Sequence, residues 1–193
     1  PGLSQNAGAG LSSGNKILIS TVTSPDKQAG AKALESGNKA EAISQFQQAL
    51  KKNQNDPEAL IYLNNAKNGD NTYSIGVSVP IHSDSNGAQE ILRGVAQAQR
   101  DINQSGGING TLLTVVIADD KDNVEAAQDV AQKFVDRSGL MGVVGHYSSD
   151  VTLAAGKVYD NRKLPVISPI STSVKLSNFS PYVFRTVPSD YVA

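Results

Sequence analysis

From Tyr73 onward short apolar runs alternate with amphipathic stretches, and that alternation constrains the fold more than any other feature. Tyr73 to Val79 sets Ile75, Val77 and Val79 among small residues, the pattern of a strand. Asn86 to Ser105 carries Ile91, Val95, Ala98 and Ile102 in helical register. The turn SGGINGT leads into LLTVVIA, a nearly continuous apolar strand. Val124 to Ser138 is predicted helical, with Ala127, Val130, Ala131, Phe134 and Val135 on one face. LMGVV is a strand, Ser149 to Asn161 a helix, LPVIS a strand and YVFRT a candidate fifth strand. Apolar strands alternating with helices call for a parallel sheet covered on both faces, so the predicted class is an open, doubly wound α/β layer. Such sheets bind ligands outside the carboxyl ends of their strands. Four polar loops lie there: PIHSDSNG, DDKDN, GHYSSD and SPISTS.

Upstream the pattern changes. Residues 1–15 are Gly, Ser, Ala and Asn with little to bury, and residues 1–23 are expected to form a flexible tail. Within it KILIS is a strand or an anchor against the next segment. Residues 24–68 read as helices. Ser24-Pro25-Asp26 is a helix cap with Pro at the first helical position, and Gly37 stops that helix. Lys39 to Lys52 places Ala42, Phe46 and Ala49 on one face, and a third helix opens at Asp56-Pro57. A polar Gly/Asn linker over 65–72 separates this segment from a domain expected over 73–193.

Several function classes fall away on composition. Lys and Arg number 17 against 18 Asp and Glu, so no strong field draws nucleic acid. Cysteine is absent, which removes thiol catalysis, thiolate metal sites and disulfides. No window approaches the roughly 18 apolar residues of a membrane span. The chain starts at Pro1 and is read as mature or trimmed, with any targeting segment outside it.

The loop GHYSSD holds His146, Ser148, Ser149 and Asp150, the residue types of a nucleophilic hydrolase. Their adjacency argues against a triad, whose members converge from separate segments. The elbow G-x-S-x-G is missing as well. Neither nucleotide-binding glycine motif occurs, DDKDN lacks the Gly and Glu of a calcium loop, and His82 and His146 stand at no zinc-ligand spacing. DDKDN is expected to be a helix start with Asp at the positive end of the dipole, and His146 a hydrogen-bonded loop residue. Ser149, where a strand turns into a helix, joins a hydroxyl to free N–H groups and suits a carboxylate. Thr172 can add a second hydroxyl, with backbone groups of Ile170 and Ser171 beside it. Singly, Ser149 is better explained as an N-cap and Thr172 as a turn former; together they make a ligand cup an equal contender.

YSIGVSVPI, NGAQEILRGVAQAQRDINQSGGINGTLLTVVIADD, VVGHYSSDVTLAAGKVYDNRKLPVISPISTS and FRTVPSD, in that order, resemble the first lobe of the type I periplasmic-binding-protein family. The branch is the leucine/isoleucine/valine-type receptors of ABC importers, and the resemblance runs from about Tyr73 to Ala193. It implies no catalysis and no cofactor. It implies a free amino acid or related amide held between two lobes that close by a hinge, and a membrane permease as partner. The location it implies is periplasmic or extracytoplasmic, with room for a membrane anchor outside this chain. Its first-lobe ligand residues fall on Ser149, Ile170, Ser171 and Thr172, with His146, Tyr147 and Ser148 in the same loop. Where many members place an aromatic residue this chain has Asn86, which admits a small or polar amino acid as readily as a branched one.

The family pattern continues into a second lobe that supplies the acid for the ligand ammonium. This chain alone is therefore expected to bind weakly or not measurably, and its uncovered apolar surface to favour self-association. Residues 37–66 resemble a tetratricopeptide repeat, with Gln54 where Pro is usual. A lone repeat must lean on a neighbour, which suggests a docked helical cap; a peptide-binding groove for a protein partner is the other option. The rival to transport is an extracytoplasmic sensory or scaffolding ectodomain.

Overall fold

The computed structural model describes residues 10–191. Three helices come first: α1 (Pro25–Glu35), α2 (Lys39–Lys52) and α3 (Pro57–Lys67). Each starts as local chemistry demands, since the Ser24, Asn38 and Asp56 side chains accept N–H bonds from Lys27, Glu41 and Ala59. Gly37, at φ +78, turns α1 into α2 in a conformation that side chains disfavour. Strands and helices then alternate: β2 (Thr72–Val79), α4 (Ser85–Gln104), β3 (Leu112–Asp119), α5 (Val124–Asp136), β4 (Leu140–Val144), α6 (Ser149–Arg162), β5 (Val166–Ser168) and β6 (Val183–Arg185). A short strand, β1 (Leu11–Ser12), precedes them all.

The six strands form one sheet in the order β1-β3-β2-β4-β5-β6. All neighbours from β3 to β6 run parallel, and β1 alone is antiparallel, with Leu11 opposite Ala118. The core has two halves, one on each face. Val77, Val79, Val115 and Ile117 face Leu92 and Ala96 of α4 and Ile61, Tyr62 and Leu63 of α3. Val116, Ala118, Val143 and Val166 face α5 and α6 through Ala127, Ala131, Phe134, Ala155 and Tyr159. Phe134 packs so tightly on β2 that a Cβ at Gly76 would stand 2.8 Å from its ring. This is the doubly wound layer expected from the alternation.

The flexible tail expected over 1–23 does not hold from Gly10 onward; residues 1–9 lie outside the described residues. Leu11 and Ser12 are buried against β3, and Ile19 is buried in the α3–α4 core. Charge fixes the same segment. Lys27 Nζ, fully buried, lies 2.8 Å from both Asp56 Oδ2 and Glu58 Oε2, and donates to the Val22 carbonyl at 2.9 Å. Glu58 accepts the Leu18 N–H at 2.7 Å and the Tyr62 hydroxyl at 2.9 Å. KILIS is thus an anchor and not a strand.

The outer edge of β3 is closed by side chains as well as by β1. Asn65 mimics a strand partner: its amide donates to the Val115 carbonyl at 2.7 Å and accepts the Val115 N–H at 3.0 Å. Asn103 does the same at Leu113, accepting at 2.7 Å and donating at 3.0 Å, and Asn68 donates to the same carbonyl at 2.9 Å. Backbone groups that would otherwise template a further strand are thereby occupied. Helix α3 sits where it does because it delivers Asn65 to that edge.

Candidate functional site

The carboxyl ends of β4 and β5 come together as the parallel register requires, with Val143 opposite Val166 and Val144 opposite Ile167. The chain leaves β4 through Gly145, His146, Tyr147 and Ser148 and enters α6 at Ser149. Ser148, not Ser149, is the N-cap, and its side chain makes no capping bond. The five other α-helices each have a side-chain acceptor at that position: Ser24, Asn38, Asp56, Asp84 and Asn123. The first turn of α6 therefore leaves N–H groups without a side-chain acceptor, at the positive end of the helix dipole.

Ser149 meets the neighbouring loop directly. The Ser171 hydroxyl donates to Ser149 Oγ at 2.8 Å, which leaves the Ser149 proton free to donate elsewhere. Ser171 is itself buried, and its N–H donates to Ser168 Oγ at 3.2 Å. Ser168 Oγ in turn donates to the His146 carbonyl at 3.0 Å. Thr172 is exposed; its carbonyl accepts the Asp190 N–H at 2.9 Å, and its hydroxyl has no partner among the described residues. Ile170 is 38% exposed on the same loop. Ser148, Ser149, Ile170, Ser171 and Thr172 thus share one corner of the sheet.

Two residues from the β2 side, Asp84 and Gly87, lie next to Tyr147. Asn86 is exposed in the first turn of α4, and beside it a Cβ on Gly87 would stand 2.8 Å from the Tyr147 hydroxyl. Tyr147 also bonds the Asp84 carboxylate. That bond and the carboxylate's charge hold the Tyr147 phenol above its ordinary value. The Gly87 N–H, and then the Tyr147 hydroxyl, hold the Asp84 carboxyl below its usual range.

His146 does not join this surface. Its side chain is wholly buried, with Nδ1 2.6 Å from Asp120 Oδ2 and Nε2 3.0 Å from the Tyr159 hydroxyl. The ring faces the α5–α6 side of the sheet, so as a ligand contact it is corrected to an interior residue. The DDKDN loop leads into α5 as expected, and Asn123 is its cap, accepting the Ala126 N–H at 2.9 Å. Asp120 is buried, accepting the Ser78 hydroxyl at 2.8 Å and the Asp122 N–H at 3.0 Å. Asp120, Tyr159, Ser168 and Ser78 are the residues missed by sequence reasoning. The one local sign was an acid immediately after an apolar strand, where a free carboxylate would have to be satisfied.

The corner pairs the Ser149 hydroxyl with that of Ser171. Ser149 touches another serine and no base, and both nitrogens of the nearby imidazole are committed inward. What it offers is donors: N–H groups, the Ser149 hydroxyl and the Thr172 hydroxyl, beside an exposed aliphatic residue. That set suits a small carboxylate attached to an apolar body.

Comparison with known proteins points the same way. A family model described as periplasmic binding protein matches residues 72–193. An amino acid binding protein of Pseudomonas aeruginosa is 39% identical over 105 residues, 53% of this chain and 28% of that protein. Leu/Ile/Val-binding protein homolog 1 of Brucella abortus is 33% identical over 119 residues, 60% of this chain and 32% of the relative. An ABC transporter substrate-binding protein from Desulfitobacterium hafniense, solved in complex with Leu, superposes with a TM-score of 0.58 at 36% identity. The match covers 62% of this chain and 35% of that one. A branched-chain amino acid transporter substrate binding protein from Streptococcus pneumoniae, solved with isoleucine, gives 0.58 at 30% identity, over 62% and 34% of the two chains. The chain spans about a third of the length of the relatives it matches.

Proposed function

This chain belongs to the periplasmic binding protein family, and from that premise we propose that it forms the first lobe of a receptor that captures amino acids for an ABC importer. The carrying observation is the uncapped start of α6 beside the Ser149–Ser171 pair. An α-carboxylate laid there would accept the free N–H groups and the Ser149 proton, with Thr172 donating from the side. The ligand side chain would extend toward Ile170 and toward Tyr147 and Asn86. Ser171 acts by aiming Ser149, since its own hydroxyl is already donated. The kinship of the relatives supports a branched aliphatic ligand, while Asn86 keeps smaller and polar amino acids in range.

The remaining partners belong to the same proposal. The ligand would be enclosed against a second lobe, and the closed receptor would dock on a membrane permease outside the cytoplasm. Among the described residues no helix is long and apolar enough to cross a membrane. The helices α1 to α3, which we read as a repeat-like docked cap, guard the β3 edge through α3. Support for a cap over a peptide groove is the use of α3's buried face, with Tyr62, Leu63 and Ala66 spent on the sheet core.

A ¹⁵N-labelled chain titrated with leucine, isoleucine, valine, alanine and serine tests the site. With one lobe the binding should be weak, and the moving amides should be those of Ser149, Asp150 and Thr172. Amide shifts confined to α1–α3, or none with any amino acid at millimolar concentration, would remove the proposal.

A further inference from the structure

Asp120, His146 and Tyr159 come from the turn after β3, the loop after β4 and the last turn of α6, and meet without solvent exposure. The protons can be assigned by satisfaction. Asp120 already accepts from the Ser78 hydroxyl and the Asp122 N–H, and it takes the His146 Nδ1–H on Oδ2. The Tyr159 hydroxyl has no acceptor among the described residues except His146 Nε2. A proton on Nδ1 and an acceptor at Nε2 give all three side chains a hydrogen-bond partner.

The trio also connects to the ligand corner. The His146 carbonyl accepts from Ser168 Oγ at 3.0 Å and Thr152 Oγ1 at 3.4 Å. Ser168 Oγ accepts the Ser171 N–H, and Ser171 donates to Ser149. A run of hydrogen-bonded residues, Asp120, His146, Ser168, Ser171 and Ser149, therefore leads from the buried carboxylate to the hydroxyl at the start of α6. We propose that Asp120, His146 and Tyr159 are positioning residues for the amino-acid carboxylate site: by clamping the 145–148 loop they fix Ser149 and the first N–H groups of α6 relative to the 168–172 loop. This rests on the amino-acid-binding function proposed for that corner. None of the three touches ligand; they act through Ser168, Ser171 and Ser149.

Tyr159→Phe removes one hydroxyl and keeps the ring, and Asp120→Asn keeps the shape of the acceptor, so both are suited to the test. In the ligand-free chain, imidazole ¹H–¹⁵N spectra should show His146 Nδ1–H hydrogen-bonded to the Asp120 carboxylate. In either variant the amides of Ser149, Asp150 and Ser171 should shift or broaden, while those of α1 and α2 stay in place. The leucine-induced shifts at Ser149 should fall several-fold, more than any loss of thermal stability accounts for. Changes confined to the substituted side chain and the imidazole, with Ser149 and Ser171 as in the parent, would overturn the proposal. Should the parent chain show no response to leucine at Ser149, the binding function fails, and the ligand-free spectra still decide the positioning role.

Discussion

At the scale of single residues, two tyrosines carry the most legible electrostatic consequence. Burial, and then the charge of Glu58, push the Tyr62 phenol well above its ordinary value. Burial, and then the charge of Asp120, do the same at Tyr159. A value raised by folding gives stability that is complete below the unfolded tyrosine pKa of about 10 and lost as pH rises toward the folded value. The chain has six tyrosines. We expect the tyrosinate absorbance of Tyr62 and Tyr159, assigned from their Phe variants, to appear only together with loss of the near-ultraviolet circular dichroism. Ionisation of all six in a chain that keeps its native dichroism would contradict the burial of these two rings. Neither tyrosine's role was visible in the sequence beyond its helical spacing. Glu58 is one turn from Tyr62, but the Leu18 and Lys16 backbone groups that complete the cluster lie some 40 residues away in a segment that reads as tail.

At the scale of elements, helix starts were legible because a cap is a bond between residues three apart. Ser24 with Pro25, and Asp56 with Pro57, sit as expected from that local chemistry. The strands were legible for a related reason, since burial on both faces needs an unbroken apolar run. What stayed hidden depends on distant pairing. Leu11 and Ser12 form a strand only because Ala118 and Ile117 wait opposite, and Asn65 looks like any helical asparagine until Val115 lies beside it. At the site, the Ser149–Thr172 corner was legible from strand-end logic, whereas the inward turn of His146 toward Asp120 was not. Asn65→Ala should strand the Val115 N–H and carbonyl and cost about 1–3 kcal/mol. Urea denaturation would read that loss, and rapid hydrogen exchange at Val115 would locate it. An unchanged midpoint with Val115 still protected would mean that the edge is closed by other groups.

Across the whole molecule, cover is uneven. On the face that α3 and α4 protect over β2 and β3, the register puts Ile167 and Phe184 side by side on β5 and β6. They are 41% and 50% exposed, and α6 lies against the opposite face of those strands. An apolar stripe of this kind favours a second surface. We expect the chain to self-associate with rising concentration in light scattering, and Phe184→Lys to weaken this without unfolding it. A monodisperse monomer at high concentration would count against that. The central claim, however, is that the start of α6 holds a carboxylate. The direct measurement is the amide spectrum of the chain with leucine against 3-methylbutylamine, which is leucine without its carboxylate. Shifts at Ser149, Asp150 and Thr172 with leucine and none there with the amine are the predicted result; equal shifts with both compounds would contradict it.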